Sequence, residues 1–192
     1  LTHASILTIT SNPTRTSPVN RGKWILEQIL GTPPPPPPPD VEELEENEEA
    51  ITSGSLRERL EKHRAKAEGA TCHSKMDPLG FALENFDGIG AWRDLDGNFP
   101  IDPSGELPTG ETINGPEGLK KVLKSRETFI RTLCAKMLTY ALGRGLEYYD
   151  KCAVEDICNE LKANDYRFTA LLNGVISSKP FLMSNTKMEN DE

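Results

Sequence analysis

Apolar residues recur at helical spacing along several stretches of this chain and nearly vanish between them. Residues 1–10 carry Ala4, Ile6, Leu7 and Ile9 and read as a short helix. Ser17-Pro18 is a good helix start, since proline at the first position loses no needed donor. Residues 21–30 follow as a helix, with Trp24, Ile25, Leu26 and Ile29 as its buried stripe and Gly31 as its stop. Ser55-Leu56-Arg57-Glu58 is a capping box, opening a helix to about residue 67 that places Leu56, Leu60, His63 and Ala67 on one face. Beyond it Pro78 and Gly80 are expected to break the helix.

From residue 92 to 114 the text changes to Asp-Gly, Pro-Ser-Gly, Pro-Thr-Gly and Asn-Gly punctuation. That predicts turns and a short hairpin between residues 99–101 and 111–113. The last third returns to helical period. One helix spans residues 116–124, and another spans 128–142 with Phe129, Leu133, Met137, Tyr140 and Ala141 facing the core and Gly143 ending it. Asp150 is expected to cap a helix bearing Val154, Ile157, Cys158 and Leu161. Asp165 is expected to cap a final one bearing Phe168, Leu171, Leu172, Val175 and Ile176, closed by Lys179-Pro180.

The gap in hydrophobic content falls between residues 32 and 54. Pro33 to Pro39 form an unbroken seven-proline run, a stiff polyproline II spacer rather than helix or sheet. Glu42, Glu43, Glu45, Glu46, Glu48 and Glu49 follow and repel one another in a solvated segment. The expected organisation is therefore a helical piece at 1–31, a Pro/Glu-rich linker at 32–54, a helical module at 55–183 and a disordered tail at 184–192. The opening at Leu1, inside what reads as domain interior, suggests the C-terminal part of a longer protein.

Chemistry concentrates at Gly69-Ala70-Thr71-Cys72-His73, which has the frame of a c-type haem attachment site with the first thiol replaced by glycine. Cys72 could make one thioether and His73 could ligate iron. Met76, three residues on, stays on the side of His73 and is a poor second ligand. His63, Met137 or a group outside this chain are the remaining candidates. Cys72, His73 and His63 suit zinc less well, because closed zinc sites want four ligands at recognisable spacing.

The surrounding text adds a resemblance. Asp77-Pro78-Leu79-Gly80-Phe81-Ala82-Leu83-Glu84-Asn85-Phe86-Asp87 resembles the segment after the haem motif in large multi-domain cytochrome c-like proteins of planctomycetes. Arg21-Gly22-Lys23-Trp24-Ile25-Leu26 and the stretch from Leu138 to Asp150 are similar to the last two modules of those proteins, both domains of unknown function. The resemblance implies haem c at Cys72 and His73, electron transfer within a larger protein, the upstream domains and a redox protein as partners, and a periplasmic or otherwise extracytoplasmic location. The expected fold is mainly α, short amphipathic helices around a c-type-cytochrome-like motif with a small β-hairpin excursion.

Charge narrows the partners. A net charge of −8 disfavours nucleic acid and anionic membrane, both of which need clustered cations, and suits a basic partner. No apolar run is long enough to span a bilayer. No nucleophile with an adjacent base and no phosphate loop is present, so an enzyme reading has no specific support. Of the other cysteines, Cys134 and Cys152 are the expected disulfide, the chain doubling back after Gly143, with Cys158 as the alternative partner for Cys134.

Overall fold

The computed structural model describes residues 1–36, 54–64 and 70–183. Contacts gather the chain into two units, Leu1–Ser125 and Arg126–Glu192. The architecture is mainly α, with two small antiparallel two-stranded sheets among the described residues. This division differs from the one expected at 32–54. Leu7, Ile25 and Leu26 share one core with Met76, Leu79, Leu83, Ile113 and Leu119, so residues 1–31 and 55–125 bury their apolar faces on each other. Of the expected linker, residues 37–53 lie outside the described residues, as does the expected tail at 184–192.

In the first unit, α1 (Ala4–Ile9) leads into α2 (Pro18–Trp24), where Ser17 Oγ accepts from the Asn20 amide at 3.2 Å. A π-helical turn over Ile25–Ile29 continues α2, and Gly31 ends it at φ 62°. The expected capping box opens α3 (Leu56–Arg64): the Ser55 amide donates to Glu58 Oε2 at 2.9 Å and the Glu58 amide to Ser55 Oγ at 3.2 Å.

The helix that follows, α4 (Ala70–Phe81), runs through both Pro78 and Gly80 instead of breaking at them. Tertiary packing overrides the local cost. A Cβ on Gly80 would fall 1.8 Å from the Pro18 carbonyl oxygen, and one on Gly22 would fall 2.0 Å from that of Met76. Helices α2 and α4 therefore meet backbone to backbone, a contact open only to glycine, and it holds the last turn of α4 helical.

The expected hairpin is two hairpins. β1 (Leu95–Asp96) pairs with β2 (Phe99–Pro100) around Gly97-Asn98, with Gly97 at φ 61°. β3 (Ser104–Glu106) pairs with β4 (Thr112–Asn114). β1 and β2 pair because their two-residue Gly-Asn loop closes more cheaply than a longer excursion, and the five residues 107–111 close β3 onto β4. α5 (Gly115–Lys124) completes the unit and buries Leu119 and Leu123.

The second unit packs α6 (Glu127–Leu142), α7 (Lys151–Ala163) and α8 (Phe168–Ile176), followed by the short α9 (Lys179–Leu182). Gly143, at φ 64°, stops α6 where the sequence places the stop. The buried stripe of α6 is Cys134 and Leu138, and Tyr140 is 85% exposed. Tyr140 lies two residues beyond Leu138, about 200° around the helix, so the face expected from Tyr140 is rotated away from the core. Asp150 stands at the N-cap position of α7, as expected, but its side chain makes no capping bond to that helix. It closes a 3-10 turn over Tyr148–Asp150, its carboxylate accepting from the Glu147 amide at 2.9 Å and from Arg144 Nη1 at 2.7 Å. Asp165 likewise does not cap α8; it sits at φ 53° in a left-handed turn beside Tyr166, and Arg167 takes the cap position.

Candidate functional site

Cys72 and His73 lie on the first turn of α4. Gly69 and the side chains of His63 and Cys72 are outside the described residues. His73 is half-buried, and its Nδ1 lies 3.0 Å from Oδ1 of Asp77, one helical turn on. Asp77 is 2% exposed. With the ring proton on Nδ1 and donated to Asp77, Nε2 is the nitrogen left for a ligand. A buried carboxylate behind a histidine is the arrangement that fixes the ring of a metal ligand and raises its basicity.

The residues around His73 fit an axial ligand on one side only. Met76 is buried against Leu79 and Ile25 in the core, where its thioether is a packing group. Met137 packs against the core of the second unit around Cys134 and Leu138. Among the described residues no group of three or more His, Cys, Asp or Glu side chains converges as a metal site. A cavity of about 40 Å³ in the first unit is bordered by Arg57, Phe81, Glu84 and Asp102, and His73 is not part of its lining. A cleft of about 1350 Å³ in the second unit is lined by Arg144, Cys152, Asp156, Glu160, Lys179 and Phe181, among others.

The segment from Asp77 to Asp87 is occupied chiefly in building a buried polar centre. Arg21, 1% exposed, donates from Nη1 to the carbonyls of Leu83 and Phe86, each at 2.8 Å, and from Nη2 to that of Asp87 at 2.9 Å. Those carbonyls belong to the turns that follow α4, so one guanidinium ties together the backbone of residues 83–87. Glu84 lies 3.6 Å from Arg21 Nη1 and accepts from Arg93 Nη2 at 2.6 Å and from the Thr16 hydroxyl. Burial pushes the Glu84 carboxyl above its ordinary range, against the pull of Thr16, Arg21 and Arg93. Asn85 Nδ2 donates to the Arg93 carbonyl at 2.9 Å. Asp87 Oδ1 accepts from the amides of Ile89 and Ala91, and these bonds hold its carboxyl below the ordinary range.

Sequence reasoning assigned Arg21 no role in a site. The usable signal was Arg21-Gly22: a glycine inside an apolar helical stretch marks a close backbone approach, and the adjacent arginine is carried into the same interface.

The cysteines of the second unit also fall differently from expectation. Cys152 is exposed at the start of α7, whereas Cys134 and Cys158 are both buried in one core. Period explains it, because Cys158 shares the inner stripe of α7 with Val154, Ile157 and Leu161 and Cys152 does not.

No helix among the described residues is long and apolar enough to cross a membrane. No curated protein and no solved structure matches the chain. Two family models do. The second, described as protein of unknown function (DUF1585), matches residues 109–181 and so begins inside the first structural unit. The first covers the buried Arg21 centre together with Cys72 and His73: over residues 1–96 the chain belongs to the family described as protein of unknown function (DUF1588).

Proposed function

We propose that the first unit is an exported c-type cytochrome-like module that carries electrons within a larger multi-domain protein, with His73 as the iron ligand and Cys72 as a single thioether tether. The observation that carries this reading is the His73–Asp77 pair, in which one ring nitrogen is held on a buried carboxylate. Haem, when bound, supplies a one-electron couple whose potential follows its axial ligand and that ligand's hydrogen bonds. The chain's own contribution is to fix the imidazole plane through Asp77, to anchor α4 against α2, and to keep water from the core behind Met76 and Leu79. Covalent haem attachment places the protein outside the cytoplasm, in the periplasm or an equivalent compartment. The upstream domains of the same protein and a redox partner are its partners, and the net charge of −8 favours a basic one.

A second reading rests on its own observation. Glu84, Asn85 and Asp87 all hold hydrogen bonds of the polar centre, and Pro78 and Gly80 both sit in backbone-close packing. A cofactor-free structural or docking module would need those same residues. Visible absorption separates the two: protein exported alongside haem-attachment machinery is expected to show a Soret band that His73→Ala abolishes or shifts. The same protein, folded and exported without that band, would leave the cofactor-free module standing.

A further inference from the structure

The second unit carries three thiols that the reading above does not use. Cys134 on α6 is 0% exposed and Cys158 on α7 is 8% exposed, while Cys152 faces solvent. Cys134 and Leu138 form the inner stripe of α6; Val154, Ile157, Cys158 and Leu161 form that of α7. Both sulfurs thus belong to the seam between the two helices. Arg131 Nη2 to Glu155 Oε1 at 3.3 Å and Lys162 Nζ to Glu127 Oε1 at 2.5 Å tie the same two helices together from outside. Across the seam the Cys134 thiol is within hydrogen-bonding reach of the Cys158 thiol, and burial together with that neighbour pushes Cys134 up to about 12.

We infer that Cys134 and Cys158 are the site of an intramolecular disulfide, formed by exchange with a thiol–disulfide oxidoreductase, that staples α6 to α7. The order of events follows from the two environments. Cys134 stays a thiol at neutral pH, so the first attack falls to Cys158, whose sulfur lies nearer the surface. The Cys158 thiolate attacks the oxidoreductase disulfide, forming a mixed disulfide and releasing one oxidoreductase thiolate. That thiolate takes up a proton. Cys134 then loses its proton and attacks the Cys158 sulfur, which forms the bridge and expels the second oxidoreductase thiol. Two protein thiols are oxidised and one oxidoreductase disulfide is reduced, so atoms and electrons balance.

The bridge closes a loop of about 25 residues, which on the chain-entropy model raises the folded-to-unfolded ratio by roughly 350-fold. It does not rest on haem. The two readings share only the requirement for an oxidising compartment.

The test is to refold the whole chain in oxidised and reduced glutathione, alkylate it, digest it and map the peptides without reduction. Before alkylation the expected product is lighter than the reduced chain by about 2 Da; the map then shows Cys134 and Cys158 in one cross-linked peptide, with Cys72 and Cys152 alkylated. Cys152→Ala should give the same bridge and resist denaturant better oxidised than reduced. A chain that refolds with Cys134 and Cys158 both alkylated overturns the proposal, as does a bridge from Cys134 to Cys152 or glutathione held on Cys158 with Cys134 free. Should refolding fail, the same mapping on natively purified chain treated with a small thiol oxidant gives the same decision.

Discussion

Arg21 in the first unit and Cys134 in the second hold comparable places, each wholly buried amid the packing of its own unit. Arg21 is a charge that organises three backbone carbonyls, a carboxylate and a serine hydroxyl. Cys134 is a small neutral thiol among leucine, isoleucine and valine, and the charges of its unit lie outside, as in the pair of Arg131 with Glu155. The difference follows from what each unit must hold. The first is built of short helices and two-strand hairpins whose ends leave many polar backbone groups to satisfy. The second is built of longer helices that satisfy their own backbone and need only an apolar seam. A buried ion network specifies an irregular arrangement that hydrophobic area alone leaves open, at the cost of desolvating its charges.

The largest expected effect breaks the first unit alone. Arg21→Met takes the charged donor from the carbonyls of Leu83, Phe86 and Asp87 and leaves Glu84 to Arg93 and Thr16, and should cost about 3–5 kcal/mol. Denaturant unfolding followed separately by Trp24 and Trp92 fluorescence and by the tyrosines of residues 126–183 should show the first unit melting early and the second unchanged. Parallel loss in both would dissolve the distinction between the units. Next comes Gly80→Ala. Its Cβ would meet a backbone oxygen that no rotamer change can move, so a cost toward the upper end of about 1–3 kcal/mol or beyond is expected in the same melt, whereas alanine in an ordinary helix would stabilise.

Acid sharpens the comparison with a smaller effect. Arg144 holds the Asp150 carboxyl below its ordinary value of 3.8. The stability this pair gives the second unit is complete above the unfolded pKa and is lost as pH falls through 3.8 toward the lower folded value. Glu84 has the opposite sign, since its folded pKa lies above 4.5. Its contribution grows as pH falls through the folded value toward 4.5, because the native state then binds the proton that the unfolded state releases. Asp87 of the first unit has the sign of Asp150, so variants separate the two carboxyls: in unfolding midpoints measured from pH 7 to pH 3, Arg144→Met should flatten the acid limb of the second unit and Glu84→Gln should steepen that of the first. Smallest is Arg131→Ala. Its surface ion pair to Glu155 is exposed on both sides, and a loss of about 0.5 kcal/mol or less is expected by the same melts.

The two units also differed in how far their sequence could be read. In the second, the extents of α6 and α7, the Gly143 stop and the apolar stripe of α7 follow from helical period, because there local preference and tertiary packing agree, whereas the caps expected from the Asp150 and Asp165 side chains do not form. The face of α6 did not, since Tyr140 is apolar by composition while its hydroxyl suits water as well as a core. In the first unit the capping box at Ser55 and the start at Ser17-Pro18 were legible, being local. The course of α4 through Pro78 and the role of Arg21 were not. Both depend on partners more than fifty residues away, Pro18 against Gly80 and Leu83 against Arg21, and no window of sequence contains them. At the candidate site, Cys72 and His73 stood out by spacing. The hydrogen bond that gives His73 its orientation follows the four-residue step to Asp77, a spacing that puts both side chains on one helix face.

The proposal of a haem module on α4 is tested most directly by a pyridine haemochrome spectrum of protein exported together with haem-attachment machinery. One thioether through Cys72 leaves one vinyl group conjugated with the ring, so the α-band should fall between those of b-type and doubly linked c-type haem, and Cys72→Ala should move it to the b-type position. A folded, exported protein with no haem absorption, or with a band that neither Cys72→Ala nor His73→Ala alters, would contradict the account.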